Sequence, residues 1–563
     1  MEEKLNQTPC AVQKIETSQG VSVSYKEHLL YSKYNPSKNI ITLVENLELL
    51  PGSIILCCSP LLGYGLPELC KKLQENCLIV LCEAEQALYD FTVSENTLLL
   101  AGEIIINCPP ASLESLPLKL YDIANTGLYK RVIRLDMSAG VQFHKDFYDK
   151  LYTACSDSVM TFWKNRLTLT KFGRRYSKNL FENLHYLAET KPISDFFNTV
   201  EKPLIVFGAG ESTQKIINGL LRRCAPRNDE TLPFYILCAD TALQPLLKNG
   251  IRPDGVFVEE AQSVIVRAFT GTPKDIHIFA GLSSIPNLVH RAGPENLSYF
   301  FTDYTKAAFI DNLKAQSFMP PSNQPFGSVG LTAVYYALKF RKNENVPVYI
   351  AGLDFSYSTG LTHTKGALAH ILRLIHANRL LPAGNYAAAY GTGTEKIPGK
   401  NGQPLITSPT LKSYAAMFRN FFGAEKNLFD AGESGIDLGL PRANIDMDCH
   451  VANAPRNDEK SVDVTRHCTA DATRHCEAAV RSNPHVKEIN EYLSNERKAL
   501  EELLDLLTGH TKLKDEELMQ KIESIAKPRE YLYLHFPDGY KFSTSQSFLN
   551  RIRTEIDFFL KYL

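Results

Sequence analysis

Through most of the first 430 residues, short apolar runs alternate with helical stretches, and few folds accept that pattern. SIILCC (53–58), CLIVLCE (77–83), PLIVFGAG (203–210), FYILCAD (234–240), GVFVEE (255–260), IHIFAG (276–281) and PVYIAGLDF (347–355) are strand-length and apolar throughout. Continuous apolar runs of this length, split by helices, mark parallel strands buried on both faces. The pattern predicts an α/β protein with two Rossmann-like units. From about residue 486, VKEINEYLSNERKALEELLDLLTG has helical period and i,i+4 charge pairs, which predicts a C-terminal helical region. The expected organisation is an N-terminal Rossmann-like domain (1–160), a helical connector (161–200), a central domain (201–445), a polar insertion (446–485) and a C-terminal helical domain (486–563).

Composition narrows the function classes. The 563 residues carry 61 Lys+Arg against 62 Asp+Glu, a net charge of −1, which argues against nucleic acid as a bulk electrostatic partner. Hydrophobic residues at 44% supply ample core material and exclude global disorder. MEEKLNQTPC has no basic region leading into an apolar stretch, so no secretory signal is read. No run approaches the roughly 18 apolar residues of a membrane span. The 13 cysteines are odd in number, and several fall inside apolar strands (Cys57, Cys58, Cys77, Cys82, Cys238), which reads as buried free thiols. A cytoplasmic location is expected.

APRNDE occurs at 225–230 and again at 454–459, TRHC occurs at 465–468 and 473–476, and RSNP follows. These segments resemble translated small palindromic repeat elements, and they are expected to be insertions at tolerant loops. His467, Cys468, His475 and Cys476 form adjacent His–Cys pairs rather than the spaced ligands of structural zinc sites, so no metal is assigned to them.

The strongest local signal is PLIVFGAGES running into TQKIINGLL: a buried strand, a glycine turn and a helix start. Gly208 and Gly210 permit a tight turn, and Ser212 with the first helical amides suits an anion. The third glycine of the dinucleotide fingerprint is missing, and Glu211 would repel a phosphate. Asp240 ends a buried strand, where open α/β sheets place ligand residues, and Thr241 follows it; the plainer reading is a helix cap. PFGSVGLTAVYYALKF offers a second helix start suited to phosphate at Gly327 and Ser328. PVYIAGLDFSYSTGLTHTKG ends its strand at Asp354, then presents Tyr357, Thr362, His363 and Lys365 on a polar loop. A histidine there suits a general base, though on its own a surface histidine is the commoner reading. The gathering of these features in one unit favours a site.

GAGES, CADTALQPLLKNGIRPDGVFVE, FGSVGLTAVYYAL, YIAGLDFSYSTGLTHTKGA, YSKYNPSKNI (31–40) and FDAGESGIDLGLPRA (429–443) resemble, in this order, the motility accessory factors, flagellin glycosyltransferases also called 6-hydroxymethylpterin diphosphokinase-like. The resemblance implies a sialyltransferase-like central domain. It implies transfer of a nonulosonic, sialic-acid-like sugar from a CMP-activated donor to Ser or Thr of flagellin, in support of filament assembly and motility. It implies that Gly208, Gly210, Ser212, Asp240, Thr241 and Tyr357 hold the nucleotide, that Gly327 and Ser328 face donor phosphate or carboxylate, and that Asp354 and His363 sit at the reacting centre. Glu211 stands where the family usually has Pro, and Glu259–Glu260 where Asp is more usual.

Other readings stand beside this one. A pterin diphosphokinase would need ATP and magnesium, with Asp240 and Asp354 meeting on the metal. Gly63, Gly65 and Glu83 in the first unit suit an adenosylmethionine or a nucleotide ribose, against a degenerate non-catalytic unit, which is preferred. A non-catalytic flagellin-binding assembly factor completes the set.

Overall fold

The computed structural model describes residues 12–96, 104–223, 233–443, 484–509 and 514–563. Both APRNDE copies and the His–Cys pairs at 467–468 and 475–476 lie outside the described residues. The expected insertion at 446–485 lies outside them too, except for its last two residues. The chain divides into two compact units, one of residues 1–173 with 533–543, the other of 174–532 with 544–563.

The first unit opens with an antiparallel meander of β1 (Gln13–Thr17), β2 (Gly20–Tyr25) and β3 (His28–Leu29). Then come α1 (Lys38–Asn46), β4 (Ser53–Cys58), α2 (Leu66–Lys72), β5 (Leu78–Cys82), α3 (Gln86–Glu95), β6 (Ile105–Cys108), α4 (Leu116–Ala124) and β7 (Arg131–Asp136). Among the described residues, four strands pair in parallel in the order β6-β5-β4-β7. That is half of a doubly wound sheet, as the alternating pattern predicted. Every residue of β4 and β5 is buried, which their unbroken apolar sequence requires of a strand covered on both faces. Every cysteine among the described residues is a free thiol.

The stretch 161–200, expected as a connector, lies largely within one long helix, α5 (Lys145–Leu187). Its first part, to Gly173, belongs to the first unit, where the buried Arg166 guanidinium donates to the backbone carbonyls of Leu534 (2.7 Å) and Phe536. Gly173 is required there: a Cβ would meet the Leu534 side chain at 2.1 Å.

The second unit comprises β8 (Leu204–Phe207), α6 (Thr213–Arg223), β9 (Tyr235–Ala239), α7 (Asp240–Lys248), β10 (Gly255–Val258), β11 (His277–Gly281), α8 (Pro286–Val289), β12 (Leu297–Thr302), α9 (Ala308–Ala315), β13 (Ser322–Asn323), α10 (Val329–Phe340), β14 (Val348–Ala351), α11 (Leu368–His376), α12 (Tyr386–Ala389), a small hairpin of β15 (Glu395–Pro398) and β16 (Pro404–Thr407), α13 (Pro409–Phe422), β17 (Leu428–Asp430), α14 (Pro484–Thr508), α15 (Asp515–Ala526) and α16 (Gln546–Phe559). Among the described residues, eight strands form one parallel sheet in the order β13-β12-β11-β10-β9-β8-β14-β17. The chain winds outward from β8 to β13, then returns to β14 on the other side of β8. In sheets wound this way, the carboxyl ends of the strands at the reversal bound a crevice. Aromatic side chains hold α10 to the sheet: Phe257 stacks on Phe279 and on Tyr336, with ring centroids 4.9 and 5.7 Å apart. Each such ring buries about 150–250 Å² and so dominates the local packing energy.

Candidate functional site

The reversal point lies where β8 and β14 pair, Phe207 opposite Ala351. Both strands end in glycine turns that press together. Gly208 N–H donates to Ala351 O (2.7 Å) and Gly210 N–H to Gly352 O (2.8 Å). A Cβ on Gly208 would lie 2.4 Å from Gly352 O, and one on Gly210 would lie 2.5 Å from Asp354 Oδ2. These glycines are therefore demanded by turn-on-turn contact within the chain.

The expected phosphate cradle at the head of α6 is filled from inside. The Ser212 amide donates to Asp354 Oδ2 (2.8 Å) and its hydroxyl to Asp354 Oδ1 (2.5 Å). The next three amides bond back to Gly210, Glu211 and Ser212 carbonyls. A carboxylate thus stands where an anionic ligand was expected, and the neighbouring Glu211 carboxylate is turned to accept the Ser358 N–H at 3.3 Å. Asp354 is buried, and burial pushes its carboxyl up to about 6, against the opposing pull of Ser212 and Lys400. Beside it the buried Lys400 ammonium pairs with Asp430, which also accepts the Gly432 N–H at 2.9 Å. Lys400 lies in the turn PGKNGQP and gave no sign in the sequence; Asp430 ends β17 as Asp240 follows β9, a signal that could have been read.

Asp240 heads α7, one strand over from the glycine turn. Its Oδ1 accepts the Thr241 N–H (2.6 Å), so Thr241 serves this carboxylate. Burial raises Asp240 to about 7, the Thr241 bond opposes, and Glu260 and Glu259 add to the rise. Glu259, just past β10, accepts the hydroxyls of Thr302 and Thr332, and burial raises its carboxyl as well. Among the described residues, no three His, Cys, Asp or Glu side chains are arranged to hold a metal ion. Asp354 Oδ1 and Oδ2 each accept one hydrogen bond from Ser212.

The second helix start differs from the first. Ser328 caps α10 with no side-chain bond to the helix, and among the described residues the amides of Val329 and Gly330 have no hydrogen-bond partner. This twelve-residue helix therefore leaves the positive charge of its first turn unmatched by any bond to these two amides among the described residues. A Cβ on Gly330 would strike Leu353 at 2.4 Å, which places the α10 start against the segment leading to Asp354. Gly327 has φ +70, and a Cβ there would meet the Tyr414 ring at 2.7 Å. Its role is to turn the loop.

His363 lies on the loop after Asp354. The next residue, Thr364, donates its N–H to Ala209 O (2.9 Å), which fixes this loop on the glycine turn. His363 Nδ1 lies 3.1 Å from the Thr362 hydroxyl, and burial together with Arg373 lowers its pKa below the ordinary value. Tyr357 is spent structurally: its backbone pairs with Ile406 and its hydroxyl donates to Ala388 O (3.1 Å). The structure thus gathers Gly208, Gly210, Ser212 and Asp354 in direct contact, seats the His363 loop and the α10 start against them, sets Asp240 and Thr241 on the adjacent strand end, and turns Tyr357 to other work.

This arrangement has relatives. The chain is 30% identical to an uncharacterised protein of Treponema pallidum (strain Nichols) over 562 residues, 98% of this chain and 94% of that one. Residues 178–360 match the family model described as 6-hydroxymethylpterin diphosphokinase MptE-like. The chain belongs to the MptE-like family. The MptE-like segment runs from within α5 through β14 to the start of the His363 loop, so it holds both glycine turns, Asp240, Ser328 and Asp354. The structure of MAf glycosyltransferase from Magnetospirillum magneticum AMB-1 is similar in fold, with a TM-score of 0.51, 12% identity, and 99% of this chain and 91% of that one covered. Among the described residues of this MptE-like protein, no helix is long and apolar enough to cross a membrane.

In the first unit, a Cβ on Gly63 would meet Asn96 and one on Gly65 would meet Ile40. Glu83 is buried under the Tyr148 hydroxyl (3.1 Å).

Proposed function

We propose that this protein is a glycosyltransferase that moves a nonulosonic sugar from a CMP-activated donor to Ser or Thr of flagellin. The observation that carries the reading is the positive start of α10, packed against Leu353, together with the His363 loop fixed on the Gly208–Gly210 turn through the Thr364 bond to Ala209, at the reversal point of a parallel sheet. The likeness in fold to the MAf glycosyltransferase supports it, as do the ordered family motifs.

The chemistry divides as follows. Ser328 and the amides of Val329 and Gly330 hold the donor's phosphate and absorb the charge that develops as CMP departs with the electrons of the glycosidic bond. The acceptor hydroxyl oxygen attacks the anomeric carbon from the opposite face, which inverts its configuration. His363 takes the hydroxyl proton, as a neutral imidazole can. Asp240 lies at the nucleotide end, where a carboxyl titrating near neutrality suits hydrogen bonds to ribose hydroxyls. Asp354 acts one step back: it locks Ser212 and the glycine turn, and so positions the loop of His363. No metal step is assigned.

The test is release of CMP from a CMP-nonulosonate together with the intact mass of flagellin, with the wild-type chain and with His363→Ala. A mass increase of one sugar that disappears in the variant supports the reading. Normal glycosylation by the variant removes the base assignment. Turnover of 6-hydroxymethylpterin with ATP instead, as the family description suggests, replaces the reading altogether.

A further inference from the structure

The segment after Asp354 carries a feature the transfer chemistry leaves unused. From Phe355 to Thr394, forty consecutive residues contain no Asp or Glu, although these make up 62 of the 563 residues of the chain. The same stretch carries Lys365, Arg373 and Arg379, with His363, His370 and His376. Among the described residues no carboxylate forms an ion pair with any of the three cations.

The stretch is also apolar on its outside. No residue of α11 is buried, and residues 374–382 are exposed without a break. Ile375 is 68% and Leu380 92% exposed, and Leu374, Leu381, Tyr386 and Tyr390 are exposed beside them in sequence. The fold holds this ridge in place: Asn378 Oδ1 accepts the amides of both Leu380 and Leu381 (2.9 Å each), and the Gly366 N–H reaches His370 Nδ1 (3.3 Å). A run of ordered, exposed apolar side chains marks an interaction surface. α11 starts five residues after His363, and a nine-residue helix spans about 13 Å at 1.5 Å per residue, so the chain from His363 to the ridge is short.

We propose that α11 and residues 377–390 are the docking face for the acceptor protein, and that it takes an acidic segment with an apolar stripe. The inference rests on the proposed function and deepens it by assigning the partner's side of the same site. Charge complementarity selects the occupant, since the exposed ridge brings Arg373 and Arg379 and no carboxylate of its own, which steers an anionic partner and repels a basic one. A membrane surface is a poorer match: three cations contribute roughly 1 kcal/mol each near anionic lipid, and one short helix adds little insertion.

The test uses the full chain with Ile375→Glu, Leu380→Glu and Arg379→Glu, all at exposed positions outside the transfer machinery. Direct binding of purified flagellin monomer is measured alongside CMP release to water in the absence of acceptor. The expected result is at least tenfold weaker flagellin binding and a correspondingly raised acceptor KM, with CMP release unchanged. Wild-type binding should weaken steeply with salt. Equal binding by the variants overturns the docking face. So does capture of the wild-type chain by vesicles containing anionic lipid with no binding of flagellin, or a wild-type dimer that the variants dissolve. A wild-type chain that binds flagellin through this face yet releases no CMP counts against the proposed function and leaves the docking face standing.

Discussion

The base role proposed for His363 draws on its neighbours. Burial and the Arg373 charge both disfavour the imidazolium, so the ring loses its proton below the ordinary histidine value and is neutral at neutral pH. The rate of transfer is therefore expected to hold steady through neutral pH and to fall only below the ordinary histidine value. Replacing Arg373 by Met removes one lowering influence, and the acid limb of the pH–rate profile should move upward, toward 6.5. His363→Ala should cost on the order of 10²–10⁴ in turnover, with donor affinity nearly unchanged. Asp240 makes a prediction about stability. Its carboxyl titrates near 4 when unfolded and near 7 when folded, so the native state binds the extra proton between those values. Stability contributed at this position falls as pH rises through that window. Asp240→Asn should raise the melting temperature relative to wild type at pH 8 and lose that advantage by pH 4, as thermal scans across pH would read. The sequence showed both residues, because a strand end and a polar loop are visible in the pattern of apolar runs. It did not show that Asp354 would face Ser212, because that bond joins residues 142 positions apart and depends on β8 and β14 being neighbours.

At the scale of elements, the two helix starts divide their labour by what lies in front of them. The α6 start has a carboxylate of its own chain on it, whereas among the described residues nothing bonds the first two amides of α10. Both were legible as glycine-bearing turns before helices; which one could receive an anion was not, since occupancy is a property of tertiary contact. The packing of the first turn gives a direct check. Gly210→Ala would drive a Cβ to 2.5 Å from Asp354 Oδ2 and 2.6 Å from Gly352 O, an overpacking of the kind that costs about 1–3 kcal/mol. Its melting temperature should drop by several degrees. Ser328→Ala leaves packing alone and should weaken CMP-donor binding by about tenfold, the worth of one hydrogen bond to a charged group. Calorimetric titration of each variant with CMP separates the two roles.

At the scale of the molecule, the alternation of short apolar runs with helices carried the fold class, since strands buried on both faces admit little else. It could not carry the grouping of distant segments. Residues 533–543 read as part of a helical tail, yet they group with residues 1–173, where Arg166 grips two of their carbonyls. Arg166→Leu should strand those carbonyls and lower the stability of the first unit by roughly 1–3 kcal/mol or more, the cost of unsatisfied buried polar groups. Hydrogen exchange localised to 533–543 would read this. The same contact has a consequence for biogenesis. A ribosome delivers the chain from its amino end, so the opening 173 residues wait for a clasp encoded 360 codons later. Until it arrives, Arg166 has no carbonyl to hold, and truncation shortly before residue 533 should leave an intermediate that needs chaperone protection even though its leading Rossmann-like sheet is complete.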